Sequence, residues 1–366
     1  MPDTPTGFRL RDLPFAALPG WAEDRHGEAM AAFLLSAARM ADDPPRTRTL
    51  GIDGAALARI AGAALAAAPF DDRSARAFFE TRFRPVAVEP AEGTPFLTGY
   101  FEPEVEGSLV PTAHFTVPLL RRPDDLVDIR DHNRPPGLDP AFAFAWASAD
   151  GIVPYHDRAA IEDGALAGRG LELVYLEDPV EAYFIHVQGS ARIRLAGGGT
   201  LRVTYDGKAG WPYTSIGRLL VERGVAPAAE MTAERLITWL KADPVRGRAL
   251  MRENRSYIFF RETPDLDPTL GAVAAAGVQI TPGRSLAVDR LLHTFGTPIF
   301  LDADLPLGPD GARMPFRRLM VAQDTGSAIV GPARGDVFVG CGAEAGRRAG
   351  LIRDVPRAFV LLVPKE

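Results

Sequence analysis

The stretch Leu319-Met-Val-Ala-Gln-Asp-Thr-Gly-Ser-Ala-Ile-Val-Gly-Pro-Ala-Arg-Gly-Asp-Val-Phe-Val-Gly340 organises the reading of this chain. Leu319 to Ala322 is an apolar run of strand length. It stops at Asp324, where Thr325, Gly326 and Ser327 impose a turn. A second apolar run, Ala328 to Val330, leads to Asp336 at the start of Val337-Phe338-Val339. Upstream, Pro282-Gly-Arg-Ser-Leu-Ala-Val-Asp289 sets a third aspartate at the end of another apolar run. One Asp-Thr-Gly alone reads as turn chemistry. Three strand-end aspartates in one segment read differently. A carboxylate at the mouth of a rigid strand pair, with small residues clearing space before it, suits a general acid facing a bulky substrate.

Outward from that segment, two textures alternate. Residues 1 to about 20 are Pro-rich and expected to be extended. Helices are predicted over about 23–41, 54–68 and 72–84, with Asp53 and Asp71 as N-caps of the second and third. From about 97 short strands follow, over 116–121, 171–176, 181–188, 191–196 and 200–205, with Gly197-Gly-Gly199 as a hairpin loop. Two helices are predicted at about 214–223 and 232–241, the latter opened by Thr232. Another begins at Asp243-Pro244, an N-cap with Pro at the first helical position. From about 255 strands run to the end. The pattern alone gives an α+β or all-β layout.

Composition narrows the function classes. A chain of 366 residues exceeds one comfortable core, so two domains are expected. An apolar fraction of 46% and a charged fraction of 24% are those of an ordinary globular protein. A net charge of −6 argues against a nucleic-acid binder. The single cysteine, Cys341, excludes an intramolecular disulfide and is read as a small buried filler. The six histidines show no zinc-binding spacing, so neither metal nor cofactor is expected. No apolar run is long enough to span a bilayer.

The aspartate segment resembles the three-aspartate (3D) domain that ends the membrane-bound lytic murein transglycosylase A (MltA) family. Phe96-Leu-Thr-Gly-Tyr-Phe-Glu-Pro103 resembles the family's Thr-Gly-Tyr motif, and Val187-Gln-Gly-Ser190 its Gln-Gly-Ser segment. Gly210-Trp-Pro-Tyr-Thr-Ser-Ile-Gly217, Glu253-Asn-Arg-Ser-Tyr-Ile-Phe-Phe260 and the glycine-rich Gly340 to Gly350 follow in the family's order. Ala191, Ala209 and Ser327 depart from its usual Gly, Asn and Gly, and none of the three removes a carboxylate.

The resemblance implies a mainly β protein with accessory helices. A double-psi β-barrel catalytic domain (1–101 and 254–366) would carry an inserted small β domain (102–253), with a glycan groove between them. It implies cleavage of the β-1,4 bond between N-acetylmuramic acid and N-acetylglucosamine, leaving a 1,6-anhydromuramoyl end. Asp324 would act as acid and then as base, supported by Asp289 and Asp336. Thr98, Gly99 and Tyr100 offer hydroxyls and an aromatic face of the kind sugars use. Gln188, Gly189 and Ser190 would end a strand with donors, acceptors and room for close approach. Tyr213 and Ser215 read equally as site or helix cap, and Asn254 and Tyr257 as site or core. Trp211 could stack on a sugar or lie in the core. Glu102 is the candidate partner if the chain is instead a two-carboxylate glycosidase. A non-catalytic wall-binding protein is the third reading. The expected partners are peptidoglycan glycan strands, with cell-wall synthesis or turnover complexes as further candidates, and the expected state is a monomer. The family is exported to the periplasm and commonly lipid-anchored at the outer membrane. Met1-Pro-Asp-Thr-Pro carries no signal or lipidation segment, so a processed or recombinant N-terminus is the expectation.

Overall fold

Capping chemistry places the second and third helices where the sequence reading put them. A computed structural model describes residues 7–149, 151–264 and 266–365. Residues 1–6 of the expected extended N-terminus lie outside the described residues, and Phe8–Asp12 is a strand. The helices are His26–Asp42, Gly54–Ala67 and Asp72–Arg82. The Asp53 side chain accepts from the Ala56 N–H, and Asp71 forms a reciprocal capping box with Ser74.

The chain divides into two units, with breaks after Phe101 and before Leu266. The unit built from both chain ends holds a nine-stranded sheet. In sheet order its strands are Phe8–Asp12, Phe83–Pro90, Ala358–Pro364, Pro298–Leu305, Met314–Asp324, Ser285–Val288, Arg334–Cys341, Phe96–Glu102 and Arg353–Asp354. The last of these packs back against Pro298–Leu305, where Asp354 pairs with Arg313, so the sheet curls around its own interior. Alternation along the strands sorts the side chains. Ile299, Leu301 and Ala303 join Leu97, Leu286, Val288, Met320 and Val337 inside. Phe300, Leu319 and Val321 face the three helices, packing with Phe33, Phe79 and Phe83. Each fully buried aromatic there contributes about 1.5–3 kcal/mol. The helix Gly342–Leu351 was not foreseen, because the glycine-rich close read as strand and loop. Gly346 leaves room for Phe101, since a Cβ there would lie 2.8 Å from its ring. Cys341 is half-buried at the head of this helix and is not the buried filler expected.

The second unit holds a six-stranded sheet, a three-stranded sheet and the helices Arg158–Glu162, Pro179–Gln188, Ile216–Glu222, Ala233–Ala242 and Pro244–Glu253. Two expectations are corrected here. Residues 181–188 form a helix, with Asp178 as N-cap, Pro179 in the first turn and Gly189 as the left-handed C-cap at φ 80°. The unit also continues past residue 253, because Ile258–Glu262 pairs antiparallel with Thr200–Lys208.

Candidate active site

Three neighbouring strands bring two of the aspartates onto one rung. Ser285–Val288 runs parallel to Met314–Asp324 and antiparallel to Arg334–Cys341. Ala287 lies opposite Asp324 on one side and opposite Asp336 on the other. A register irregularity between Leu286 and Ala287 passes over Gln323, so that Asp324 reaches this rung.

Gln323 is turned away from this pair of aspartates and locks the strand that carries Asp324. It is fully buried, accepts from Ser285 Oγ at 2.5 Å, and donates to Ala32 O and Ser36 Oγ, each at 2.8 Å. The helix His26–Asp42 and the neighbouring strand thus both clamp the residue before Asp324. Every polar atom of that amide is matched, which a buried amide requires.

Asp324 is half-buried, and its Oδ1 accepts from the backbone N–H groups of Thr325 at 2.8 Å and Ala275 at 3.2 Å. Burial pushes its pKa up from 3.8 to about 6. The two backbone donors and Tyr100 oppose the rise, and the charge of Asp336 adds to it. Thr325 in turn donates through Oγ1 to Val288 O at 2.7 Å, fixing the turn beyond Asp324.

Tyr100 packs on Phe338 with ring centroids 5.2 Å apart. Its buried hydroxyl feels the Asp324 carboxylate but forms no hydrogen bond of normal geometry. Burial first, and then Asp324 and Asp336, raise its pKa well above the usual tyrosine value. Asp336 accepts from Thr98 Oγ1 at 2.5 Å, and Thr98 Oγ1 accepts from Arg334 Nη2 at 2.7 Å. Burial raises the Asp336 pKa, against the pull of Thr98 and Arg334.

Asp289 stands apart from this pair. It is buried, and its two oxygens accept from the N–H groups of Leu291 and Gly331, each at 2.9 Å. It therefore ties its own turn to the loop that joins Asp324 to Asp336. Gly99 answers a packing need: a Cβ there would lie 2.8–2.9 Å from Ile352 Cδ1 and the Ala349 backbone. Thr98, Tyr100, Asp324 and Asp336 come together. Arg334 and the Ala275 N–H join them without having been picked out from sequence.

In the second unit, most of the candidate sugar-binding residues are engaged internally. Asn254 is buried, accepting from the Thr214 N–H and donating to the Tyr183 hydroxyl. Tyr257 is buried edge-on against His186, with Arg158 over its ring. Ser215 caps the helix Ile216–Glu222 by accepting from the Arg218 N–H. Gly189 is a helix cap, and Ser190 is buried at the start of a strand. Trp211 donates to Tyr155 O at 2.8 Å. Gln188, at the end of its helix, is half-buried and Tyr213 is exposed. Glu102 is fully buried, with Arg192 and Arg202 on its carboxylate at 2.5–3.0 Å. It cannot serve as the second carboxylate of a glycosidase.

Two family profiles match this layout, the MltA specific insert domain over residues 96–261 and the 3D domain over residues 284–362. A membrane-bound lytic murein transglycosylase from Agrobacterium tumefaciens is 42% identical over 97% of both chains, with a TM-score of 0.90. The chain belongs to the membrane-bound lytic murein transglycosylase A family. The MltA of Vibrio cholerae is 32% identical over 274 residues, covering 74% of this chain and 66% of the relative, so the match spans just under two thirds of that relative's length. Escherichia coli MltA, solved with bound chitohexaose, is 26% identical with a TM-score of 0.67, covering 98% of this chain and 95% of that one. The MltA insert profile ends within Ile258–Glu262, the strand that strand pairing assigns to the second unit. Among the described residues no helix is long and apolar enough to cross a membrane.

Proposed function

We propose that this chain is a lytic transglycosylase of peptidoglycan, with Asp324 as its single acid and base. The observation that carries the reading is one half-buried aspartate poised near pKa 6, whose acidic neighbour across the Ala287 rung, Asp336, already accepts from Thr98, which in turn accepts from Arg334. At pH 7 about one molecule in ten then holds the proton, enough for an acid tuned near its working pH.

Asp324 gives its proton to the glycosidic oxygen as the bond from C1 of the muramoyl unit breaks. The C6 hydroxyl oxygen of the same sugar bonds to C1, and its proton returns to the Asp324 carboxylate. The product is a 1,6-anhydro ring, and the acid is regenerated without a positioned water. A tethered nucleophile has a high effective molarity, so no second carboxylate is needed. The unmatched Tyr100 hydroxyl is suited to donate to the Asp324 carboxylate or to a sugar hydroxyl once the glycan is bound. Gln188 and Tyr213 are the insert residues proposed for glycan contact. Chitohexaose in a relative supports a β-1,4 glycan as ligand. The relatives' name, membrane-bound lytic murein transglycosylase A, supports action on murein from a membrane-associated position, for which the periplasm is proposed here. Mass spectrometry of products from purified murein sacculi tests the reaction. Muropeptides lighter by one water than hydrolysed ones are expected. Reducing-end products would mean a hydrolase, and no release at all would favour a binding protein.

A further inference from the structure

The Thr98 hydroxyl carries a single proton, and its surroundings decide where that proton goes. Arg334 has only donors, so its Nη2, 2.7 Å away, must be met by a lone pair of Thr98 Oγ1. The hydroxyl proton is left pointing at Asp336 Oδ1, 2.5 Å away. A donor aimed in this way favours the carboxylate over the carboxylic acid. Arg334 is itself held in place. It donates to Gly335 O at 2.5 Å and lies 5.5 Å from the centroid of the Phe96 ring.

Resting on the reading of Asp324 as the acid, we propose that Arg334 is a positioning residue for the reaction. Through the Thr98 hydroxyl it keeps Asp336 a hydrogen-bond acceptor, so that a negative charge faces Asp324 across the Ala287 rung.

The groups around the pair are few. Asp324 stands on one strand, Asp336 and Arg334 on another, and Thr98 and Tyr100 on a third. Asp289 is turned to the backbone of Leu291 and Gly331. With Arg334 removed, Thr98 is free to rotate its proton away, and burial then favours the neutral form of Asp336. The charge facing Asp324 is lost, so Asp324 releases its proton at lower pH and the basic limb of activity moves down. A direct effect of the guanidinium on Asp324 has the opposite sign, because losing a cation makes the acid hold its proton more tightly.

The test compares wild type, Arg334→Gln, Thr98→Val, Asp336→Asn and the double variant Arg334→Gln/Asp336→Asn. Two readouts are followed. One is the pH profile of anhydro-muropeptide release from sacculi. The other is the titration of the Asp324 carboxyl by carbon NMR in aspartate-labelled protein, assigned with Asp324→Asn. The proposal expects Arg334→Gln and Thr98→Val to move the basic limb and the Asp324 titration downward together, by several tenths of a pH unit. It expects no further downward move in the double variant beyond Asp336→Asn. Arg334→Lys should restore part of the wild-type profile. A uniform loss of rate with an unmoved Asp324 titration would overturn the proposal, as would a downward move that persists in the Asp336→Asn background. The NMR titration needs no activity, so a wild-type protein that releases no anhydro product sinks the functional reading separately.

Discussion

Replacing Asp324 by Asn should remove activity and, above neutral pH, make the protein more stable. The amide is isosteric and keeps an oxygen to accept from the Thr325 and Ala275 N–H groups, so the local geometry survives. It has no acidic proton to deliver, which costs at least the roughly 10²–10⁴-fold typical of a general acid. The stability effect follows from linkage. Asp324 has a pKa of about 6 in the folded chain against 3.8 ordinarily, so the folded state binds the proton more tightly than the unfolded one. That contribution is fully present below about pH 4 and is lost as pH rises through about 6. The difference is worth about 3 kcal/mol, and the part exposure of the carboxyl trims it to about 1–2 kcal/mol. Asp324→Asn escapes this penalty. Urea unfolding at pH 4, 6 and 8 should therefore show a variant advantage that is near zero at the lowest pH and grows to that size at the highest. An advantage independent of pH, or a variant less stable at pH 8, would refute the raised pKa and with it the poised acid.

Three further outcomes follow from the geometry. Asp336→Asn should lower the pH at which activity falls on the basic side. The Ala287 rung sets the two aspartates about 10 Å apart, and at an effective dielectric of about 20 their repulsion is about 1.7 kcal/mol, so a downward move of up to about one pH unit is expected, read from a pH–rate profile. Glu102→Gln should destabilise the second unit by about 3–5 kcal/mol, because it removes the buried negative charge that faces Arg192 and Arg202. Any molecules that remain folded should still release anhydro product, whereas stable but inactive protein would revive the two-carboxylate reading. Gly99→Ala should cost about 1–3 kcal/mol in thermal unfolding through the clash with Ala349 and Ile352, and an unchanged melting temperature would contradict the close packing of that strand on its helix.

The parts of this fold visible in the sequence are those governed by local chemistry. Asp53, Asp71, Thr232 and Asp243 each cap the helix that their position announces. Asp324 ends its strand because Thr325 and Gly326 break the apolar run. Residues 181–188 were misread because Tyr183, Phe184, Ile185 and Val187 have high strand preference. The Asp178-Pro179 start and the Gly189 stop were legible in that segment and outweighed it. The pairing of Asp324 with Asp336 depends on strand order, which a local pattern does not carry. Arg334 was hidden among abundant arginines. Its role comes from Thr98, far away in the chain, and no spacing rule links the two.

Thr98 and Asp336 are 238 residues apart, yet one hydrogen bond joins them, and the whole inserted unit lies between them in the chain. A chain emerging from the ribosome exposes Thr98 and Tyr100 before the inserted unit and Asp336 only after it. Until the strand Arg334–Cys341 arrives, the Asp324 carboxyl lacks its charged neighbour, and Thr98 has neither the donor nor the acceptor that fixes its proton. A chain without that strand therefore lacks the contacts that set the proton of Thr98 and the charge facing Asp324, however well its earlier parts have folded. With its controlling partners on either side of the inserted unit in sequence, the proposed acid can be tuned only in a chain that has already made that unit.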